Sequence, residues 1–600
     1  MQEYTSPGPV QVDPSHSLTT PLFEHGRTAP QRPALSQRVG SEFVDWTTKQ
    51  FVDEVRDLAK GLMGLGIDAG DRVCIMSPTR VEWTLLDYAI WTAGAITVPI
   101  YETSSAEQVE WIVEDSGAEA IVCATRELRA EYDKVATNLP NCEHAFVIED
   151  GALDLIKSHG ANVSDDEVEA RRSAVVGADV ATIVYTSGTT GRPKGCVITH
   201  NSFLWDSTQV LHIAKDFFRS GQSTLLFLPL AHIFARVIQT GCVTAGVRIG
   251  YSTGIPQLLE ELQMLRPDFL LAVPRVFEKV YNGAQQRAHA DGKGAIFDRA
   301  ANIAIEYSRQ MQDEGKVALG VKIQHAIFDR LVYGKLRAAV GGQATHAFSG
   351  GAALGERLGH FFRGVGITIL EGYGLTETTA AATVNRPDDV RIGSVGRPLP
   401  GCTIRIADDG EVLIKGPHVF REYFNNTQAT AEAIEPDGWF HTGDIGQLDS
   451  DGFLRITGRK KEIIVTAGGK NVAPAVLEDR LRSHYLVSQA MVVGDNQPFI
   501  AALITIDAEA FEVWTKANGH DGKSVADLMD DDALNAEIQS AIDDANHAVS
   551  KAESVRTYRI LPEDFEVGVE LSQKQSVKRH VVSEKYGSVI DGIYADVKRI

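Results

Sequence analysis

The segment from Tyr185 to Gly195 has the composition of a loop that binds an anion. It reads Tyr-Thr-Ser-Gly-Thr-Thr-Gly-Arg-Pro-Lys-Gly and follows the apolar, β-branched run Val180–Tyr185. Glycines let backbone amides approach a phosphate closely, the hydroxyls are rotatable donors, and Lys194 carries a mobile positive charge. The spacing is not that of the Walker motif. A solvated turn after a strand has a similar composition, so the residues alone leave both interpretations open.

The overall composition indicates a large, multi-lobed enzyme. Six hundred residues exceed what one hydrophobic core supports, and hydrophobic and charged residues make up 44% and 23% of the chain. The formal net charge of −22 argues against nucleic acid and against an anionic membrane as partners, because both attract excess Lys and Arg. An anionic ligand must therefore meet a local basic patch, and membrane contact is expected to be peripheral at most.

The cysteines and the N-terminus indicate the compartment. The cysteines lie far apart and predict neither a zinc site nor a disulfide framework: Cys74, Cys123, Cys142, Cys196, Cys242 and Cys402. We therefore expect a cytoplasmic protein, with or without loose attachment to the inner membrane face. Residues 1–40 are polar and contain no apolar run of signal-peptide length. They are expected to form a flexible N-terminal segment.

Alternating helical and strand-like patterns predict βαβ units on a largely parallel sheet. Helical spacing from Asp45 to Ile67 precedes the strand-like run Val73–Met76, and the two patterns alternate again as far as Ala124. Such units place ligands at the carboxyl ends of strands, where the glycine-rich segment falls. A helix-rich insertion at about 281–341 follows. The strand-rich stretch beyond Gly393 predicts a small β subdomain.

The segment from Tyr185 to Gly195 also resembles the signature of the adenylate-forming (AMP-binding) superfamily, which includes acyl-CoA synthetases, luciferases and the adenylation domains of peptide synthetases. Other segments resemble further family motifs in the family's order: Pro229–Arg236, Gly350–Leu354, Glu371–Glu377, Trp439–Asp444 and Gly458–Glu462. The resemblance covers the chain beyond about residue 40. The stretch Arg266–Val280 and the helical insertion resemble the long-chain fatty acid–CoA ligase branch.

The resemblance implies an α/β fold in two domains. A large N-terminal AMP-binding domain of βαβ subdomains and a small β subdomain would occupy residues 41–458. A mobile α+β lid would occupy residues 459–600, with a hinge near Lys461. The implied reaction forms an acyl-adenylate from ATP and a long-chain fatty acid, and CoA then displaces AMP. Cations, magnesium and hydrogen-bond donors should dominate catalysis, because both steps develop negative charge.

The family motifs also imply roles for single positions. ATP and AMP are expected to contact Thr186, Ser187, Gly188, Thr189, Thr190, Gly191, Lys194, Gly350, Gly351, Ala352, Glu371, Gly372, Tyr373, Gly374, Thr376, Asp444 and Arg459. Within this set, Tyr373 would stack on adenine and Asp444 would accept hydrogen bonds from the ribose hydroxyls. Magnesium is expected on Glu377 and Thr189, since oxygen ligands suit this hard cation.

Further positions are assigned to CoA and to the acyl carboxylate. CoA is expected to contact Lys461, Gly468, Gly469 and Lys470. Alternatively, Lys461 and Lys470 belong to a solvated run of charged residues that binds no ligand. His232 would lie between the acyl carboxylate and the CoA entrance, and a hydrogen-bonded core histidine is its alternative.

One position departs from the family pattern. The catalytic lysine that contacts the acyl carboxylate and the α-phosphate normally ends a Leu-Thr-Pro-Thr-Leu-Lys-like run. Here the run is Leu571-Ser-Gln-Lys-Gln-Ser-Val-Lys-Arg579, and Ser576 stands at the aligned position. Side chains alternate along an extended loop, so Lys574 and Lys578 project on the same side as Ser576 and are the candidate replacements.

Three functions are compatible with these residues. The main one is a long-chain fatty acid–CoA ligase that depends on ATP and magnesium. A fatty acyl-AMP ligase that loads a carrier protein is the enzyme alternative, and transfer without CoA would favour it. The departure at Ser576 motivates a nucleotide- and acyl-binding regulatory protein with impaired adenylation. The sequence leaves open the acyl chain length and whether the protein is a monomer or a homodimer.

Restoring the family residue tests whether Ser576 limits adenylation. We expect Ser576→Lys to raise the rate of fatty-acid-dependent exchange of pyrophosphate into ATP, because a cation at this position would offset negative charge on the α-phosphate. Exchange is measured with palmitate and magnesium and without CoA. An unchanged rate would argue against a limiting role for Ser576.

Overall fold

The structure is a computed structural model that describes residues 1–186, 192–572 and 576–595. Strands and helices alternate through the first third of the chain. Its elements are β1 (Glu3–Thr5), α1 (Thr19–Thr28), β2 (Pro33–Val39), β3 (Glu42–Thr47), α2 (Thr48–Gly64), β4 (Arg72–Met76), α3 (Val81–Thr92), β5 (Ile96–Ile100), α4 (Ala106–Ser116), β6 (Ala120–Cys123), α5 (Arg126–Asp133), β7 (His144–Val147), α6 (Ala152–Ser158), α7 (Asp165–Ala174), β8 (Val180–Thr186) and β9 (Lys194–Thr199).

The middle of the chain is richer in helix, as the pattern at about 281–341 predicts. Its elements are α8 (His200–Ile213), β10 (Ser223–Leu226), α9 (Ile233–Ala245), β11 (Arg248–Tyr251), α10 (Leu258–Leu265), β12 (Phe269–Ala272), α11 (Pro274–Ala290), α12 (Gly294–Asp313), α13 (Leu319–Phe328), α14 (Gly334–Ala339), β13 (His346–Ser349), α15 (Glu356–Val365) and β14 (Thr368–Tyr373). A π-helical turn, Asp329–Tyr333, joins α13 to α14.

The last third begins with short strands and ends in an α+β unit. Its elements are β15 (Thr383–Val384), β16 (Arg397–Pro398), β17 (Thr403–Ile406), β18 (Glu411–Lys415), β19 (Glu422–Tyr423), α16 (Thr427–Ala433), β20 (Phe440–Leu448), β21 (Leu454–Arg459), β22 (Ile464–Val465), β23 (Asn471–Val472), α17 (Pro474–Arg482), β24 (Val487–Val493), β25 (Ile500–Ile506), α18 (Ala508–Ala517), α19 (Val525–Leu528), α20 (Asp532–Asn546), β26 (Val555–Ile560), α21 (Arg579–Lys585) and α22 (Gly587–Ala595).

The strands pair as the βαβ pattern predicts. The largest sheet has the order β19-β9-β8-β5-β4-β6-β7, in which β8, β5, β4, β6 and β7 are parallel. Two mixed sheets have the orders β10-β11-β2-β3 and β12-β13-β14-β15-β16. Residues Val73–Met76 are buried on both faces, which explains their continuous apolar run. An antiparallel sheet, β1-β17-β18-β20-β21, forms the expected β subdomain.

The helix expected from Asp45 begins later. Asp45 lies in β3, and α2 starts at Thr48, because Thr47 and Gln50 form a capping box that fixes the N-terminus of the helix.

The first 40 residues are not a flexible segment, contrary to the expectation from composition. Strand β1 pairs with β17 in antiparallel register, with Tyr4 opposite Ile404. Helix α1 buries Leu22 and Phe23 in the main core, and Leu18 just before it is buried there too. The segment is ordered because a few apolar side chains and one edge strand attach it to partners far away in the sequence.

The C-terminal part has a hydrophobic core of its own, which packs α17, α18 and α20 against the sheet β24-β25-β26. Contacts at the start of α11 and in α15 link this part to the rest of the chain. Arg275 Nη2 lies 3.0 Å from Asp507 Oδ2, and Arg357 Nη2 donates to the Ser483 carbonyl at 3.0 Å. Across the described ranges, no helix has both the length and the apolarity that a bilayer span requires.

A fully buried ion pair links two helices of the large domain, α3 and α9, to two of its strands, β5 and β8. Arg236 of α9 donates to both carboxylate oxygens of Asp87 of α3, at 3.3 and 2.6 Å. Both side chains are completely buried. Arg236 also donates to Thr182 Oγ1 of β8 at 2.7 Å, and Asp87 accepts from Thr97 Oγ1 of β5 at 2.7 Å. Burial raises the pKa of Asp87, and the guanidinium of Arg236 opposes that rise.

Removing one partner of this pair should cost more than removing both. We expect Arg236→Met to lower the free energy of unfolding by about 3–5 kcal/mol, because it leaves the Asp87 carboxylate buried without its cation. The double variant Asp87→Leu with Arg236→Met should recover part of the loss. Denaturant titrations of the three proteins measure the difference. Equal losses in the single and double variants would contradict the assigned role.

Candidate active site

Three of the predicted motifs follow the carboxyl ends of parallel strands. Strand β8 ends at Thr186, β13 ends just before Gly350, and β14 ends just before Gly374. The loop residues Ser187, Gly188, Thr189, Thr190 and Gly191 lie outside the described residues, so their assignment to phosphate and magnesium stays a prediction.

The residues that flank the loop connect it to Glu377. Thr186 pairs with Lys194 across β8 and β9. The Nζ atom of Lys194 lies 4.9 Å from the centre of the Tyr423 ring, and Tyr423 Oη donates to Glu377 Oε1 at 2.8 Å. Burial raises the pKa of Tyr423, which keeps its hydroxyl a donor. The expected phosphate cation and the expected magnesium ligand are therefore neighbours, with one tyrosine between them.

Glu377 is held in a tight turn after β14. It lies in the 3-10 helix Thr376–Thr378, and its carbonyl accepts from Phe420 N at 2.7 Å. The two residues after this short helix, Thr379 and Ala380, have positive φ values of 51° and 85°. Residues other than glycine rarely adopt this conformation, so the turn stores strain beside the carboxylate.

The donor set fits a magnesium ion that is shared with a substrate. Among the described residues, no group of three or more acidic, His or Cys side chains could hold a metal ion by itself. Mg²⁺ typically binds one or two carboxylates and completes its shell with water and substrate phosphates. A carboxylate can accept more than one bond, so the hydrogen bond from Tyr423 leaves Glu377 able to bind a cation.

Glu371 connects the Gly350–Leu354 loop to β14. Its Oε1 atom accepts from Leu354 N at 3.1 Å, and Glu371 pairs with Ser349 in the register of β13 and β14. Burial raises the pKa of Glu371 to about 7, and Asp479 of α17 contributes to the rise. The carboxyl group thus lies where a helix of the C-terminal part approaches the predicted adenine segment, which includes Gly351 and Ala352.

Packing requires glycine at two positions of the motif Glu371–Glu377. A Cβ atom on Gly374 would lie 1.5 Å from the Ala380 carbonyl oxygen, and one on Gly372 would lie 3.0 Å from the Thr383 carbonyl oxygen. The strained turn that positions Glu377 can fold back on β14 only because these side chains are absent.

Asp444 is held by two donors from different motifs. Tyr373 Oη donates to Asp444 Oδ2 at 2.7 Å, and Arg459 Nε donates to Oδ1 at 2.9 Å. Asp444 and Arg459 are direct partners in the register of β20 and β21, so the antiparallel pairing places them side by side. The structure thus brings together three residues that the sequence assigns to the nucleoside. Stacking of Tyr373 on adenine and ribose binding by Asp444 stay predictions.

His232 has a structural role at the start of α9. Its Nδ1 atom accepts from Phe234 N at 3.1 Å, which caps the helix. Because Nδ1 accepts this bond, a neutral ring carries its proton on Nε2. The ring can therefore act only as a donor through Nε2 while the cap is in place, and a role toward the acyl carboxylate stays a prediction.

The candidate CoA residues lie in the C-terminal part, which begins just after Arg459. Lys461 is exposed in the 3-10 helix Lys460–Glu462. Gly468 and Gly469 lie in the turn between β22 and β23, and Lys470 pairs with Glu553 at 3.4 Å. The interpretation of these lysines as a solvated charge run stays open alongside the CoA assignment.

The described residues on either side of residues 573–575, in the run that departs from the family, lie close to each other. Leu571 and Val577 form an antiparallel bridge, and Ser576 is exposed at its edge. Lys578 Nζ donates to the Gly568 carbonyl at 2.7 Å. Lys574 lies outside the described residues. Lys578 therefore has a local hydrogen bond that it would have to exchange to reach a substrate.

Tyr423 is a site residue that sequence analysis missed. It lies 46 residues after Glu377 in β19, whose pairing with β9 brings its hydroxyl to the carboxylate. A two-residue edge strand has no recognisable periodicity, so only the tertiary pairing identifies Tyr423.

The fold and these motifs are those expected of an enzyme that activates a carboxylate with ATP. The sequence model of the AMP-binding enzyme family matches residues 22–424, and that of the AMP-binding enzyme C-terminal domain matches residues 461–598. The chain belongs to the AMP-binding enzyme family.

Among relatives, the chain is 49% identical to the long-chain fatty-acid–CoA ligase FadD15 of Mycobacterium bovis, over 99% of this chain and 100% of that protein. It is 31% identical to the long-chain fatty-acid–CoA ligase ACSBG2 of Gallus gallus, over 94% of this chain and 79% of that protein.

Solved structures share the fold at low sequence identity. The adenylation domain of carboxylic acid reductase from Segniliparus rugosus, in complex with AMP and a carboxylic acid, is similar with a TM-score of 0.75 and 19% identity, covering 98% of this chain and 95% of that one. ATP-bound MatB from Rhodopseudomonas palustris has a TM-score of 0.70 and 21% identity, covering 96% and 99%.

The raised pKa of Glu371 predicts a stability change with pH. Its folded-state pKa of about 7 lies above the ordinary value of 4.5, so the unfolded chain loses its proton first and the protein loses stability as the pH rises from about 4.5 to about 7. We expect Glu371→Gln to stabilise the protein by about 2 kcal/mol near pH 8 and to change it little near pH 5. Denaturant titrations at both pH values measure this.

The exposed Glu107→Gln in α4 is the matched control, and it should change stability equally at both pH values. A Glu371→Gln protein whose stability follows the wild type at every pH would contradict the assignment.

Proposed function

We propose that this protein is a long-chain fatty acid–CoA ligase, which converts a fatty acid, ATP and CoA to acyl-CoA, AMP and pyrophosphate. The observation that carries the proposal is the full-length relationship to long-chain fatty-acid–CoA ligases. Two sets of neighbouring residues support it, Lys194 with Glu377 and Asp444 with Arg459, because these residue types suit a nucleoside triphosphate. Buried, unpaired thiols such as those of Cys74, Cys142 and Cys242 support a reducing, cytoplasmic location.

In adenylation, the chain's cations and donors would hold the phosphates while the fatty-acid carboxylate attacks the α-phosphate. Lys194, which starts β9 opposite the end of β8, would balance phosphate charge. Glu377 and Thr189 would hold magnesium, which supplies charge neutralisation at the phosphate oxygens when it is bound. Asp444 would accept the ribose hydroxyls, while Tyr373 and Arg459 fix its orientation through the hydrogen bonds that they already donate.

In thioester formation, the C-terminal lid would present a different surface to the same site. The acyl-adenylate loses AMP when the CoA sulfur attacks its carbonyl carbon. Rotation about the hinge near Lys461 would bring Gly468, Gly469 and Lys470 towards the pantetheine arm. Lys470 would then exchange Glu553 for a phosphate of CoA. His232 could donate from Nε2 to the acyl carboxylate or to the oxyanion that replaces it.

The half-reactions distinguish this function from its alternatives. We expect palmitate-dependent exchange of pyrophosphate into ATP without CoA, and palmitoyl-CoA when CoA is added. Exchange without acyl-CoA, together with transfer to a phosphopantetheinyl carrier protein, would instead identify a fatty acyl-AMP ligase. Binding of ATP and palmitate without exchange would identify the regulatory protein that the departure at Ser576 motivates.

The same assays test Glu377 and Tyr423, which lie near the flanks of the predicted phosphate loop. Glu377→Gln should slow pyrophosphate exchange by about 100-fold, because it removes the anionic oxygen proposed for magnesium. Tyr423→Phe should slow it by about tenfold, since it removes one hydrogen bond to that carboxylate. The adjacent exposed variant Glu422→Gln is the matched control and should exchange at the wild-type rate. Normal exchange in Glu377→Gln would overturn its assignment.

A further inference from the structure

A row of exposed aliphatic side chains follows one face of α13 and continues into the π-helical turn. Leu319, Ile323, Ile327 and Leu331 recur every four residues and are 73%, 54%, 52% and 54% exposed. This spacing places them along one side of a helix. We call these four residues the α13 stripe. Single exposed aliphatics are ordinary, but four in a row on one helix indicate an interaction surface.

The opposite face of α13 is anchored to the protein. Val321 is buried against Ile303 of α12 and Val317. The His325 ring stacks on Tyr307 with ring centres 4.0 Å apart, and its Nε2 lies 2.6 Å from the Gly364 carbonyl oxygen. The helix is therefore fixed on its inner side, and the α13 stripe faces solvent because of that packing.

Basic residues flank the stripe along the sequence, although the chain as a whole is strongly acidic. Residues 315–340 contain five Lys or Arg and one acidic residue, Asp329, in a chain of net charge −22. Asp329 is engaged by Arg337 at 2.7 Å. The exposed basic residues are Lys316, Lys322, Arg330 and Lys335. The acidic pair Asp313 and Glu314 precedes the segment in α12 and its C-cap.

We propose that the α13 stripe and its basic border form a docking surface for an anionic lipid membrane, with the helix lying in the plane of the interface. Aliphatic side chains on one face with Lys and Arg beside them are the composition of interfacial helices. The basic border offsets the repulsion that the net charge would otherwise produce at an anionic surface. One short helix gives weak, reversible binding.

The charges also favour lipid over a second copy of the chain. A two-fold symmetric dimer through this surface would bring the same patch into contact with itself. Lys322 and Arg330 would then face basic residues of the second copy, and the one carboxylate within residues 315–340, Asp329, is already paired with Arg337. A membrane that contains acidic headgroups supplies the opposite charge and an apolar layer together.

Vesicle flotation of the full-length protein tests the proposal without any dependence on its catalytic activity. We expect binding to vesicles of phosphatidylcholine mixed with phosphatidylglycerol, little binding to phosphatidylcholine alone, and weaker binding at high salt. The variants Ile323→Asp with Ile327→Asp, and Lys322→Glu with Arg330→Glu, should each lower the vesicle affinity by about tenfold or more. Because all four side chains are exposed, the thermal unfolding temperatures should stay near that of the wild type.

Two control variants match these changes on other exposed surfaces. Leu155→Asp with Val513→Asp places acidic residues at exposed aliphatic positions in α6 and α18, and Lys523→Glu with Lys551→Glu makes the same change in net charge. Both controls should bind like the wild type. The proposal is overturned if wild-type protein does not float with anionic vesicles, or if the controls lose as much affinity as the stripe variants. It is also overturned if the stripe variants convert a dimer to a monomer in light scattering without changing vesicle binding.

Discussion

The buried ion pair between Arg236 and Asp87 is the interaction on which the arrangement of the large domain depends. Placing two charges in a dry interior costs several kcal/mol unless hydrogen bonds satisfy them, and here Thr97, Thr182 and Gln239 complete the set. The pair thereby joins α3, α9, β5 and β8 in one network. Strand β8 leads into the predicted phosphate loop and α9 begins at His232, so a single buried contact fixes two elements of the proposed site.

The carboxylates of the site are each oriented by groups of the protein itself. Glu377 accepts from Tyr423, Asp444 accepts from Tyr373 and Arg459, and Glu371 accepts from the Leu354 amide. An enzyme that stabilises developing charge gains most from groups that need no reorganisation at the moment of reaction. These hydrogen bonds fix the orientation of the carboxylates before the substrate binds. The strained turn at Thr379 and Ala380 fixes the backbone beside Glu377 in the same way.

Features that depend on neighbouring residues could be predicted from the sequence, and features that depend on contacts between distant residues could not. The strand Val73–Met76 and the loop flanks at Thr186 and Lys194 were predictable, because burial and turn chemistry appear in adjacent residues. The order of residues 1–40 was not, since Thr5 meets Thr403 across 398 residues of chain. Tyr423 was missed for the same reason. A short strand at a sheet edge owes its position to its partner and leaves no periodic signal of its own.

Three lysines of the C-terminal part already have partners in the protein, which bears on how a lid could move. Lys470 is paired with Glu553, Lys460 with Asp409 and Glu411, and Lys578 with the Gly568 carbonyl. Ion pairs at half-exposed positions contribute at most about 1 kcal/mol, so a lysine loses little when it exchanges one partner for another. A phosphate held in a partly buried site offers more charge than a single carboxylate. Such weak local pairs can hold each lysine in a defined place between half-reactions and still release it when a nucleotide or CoA phosphate comes within reach.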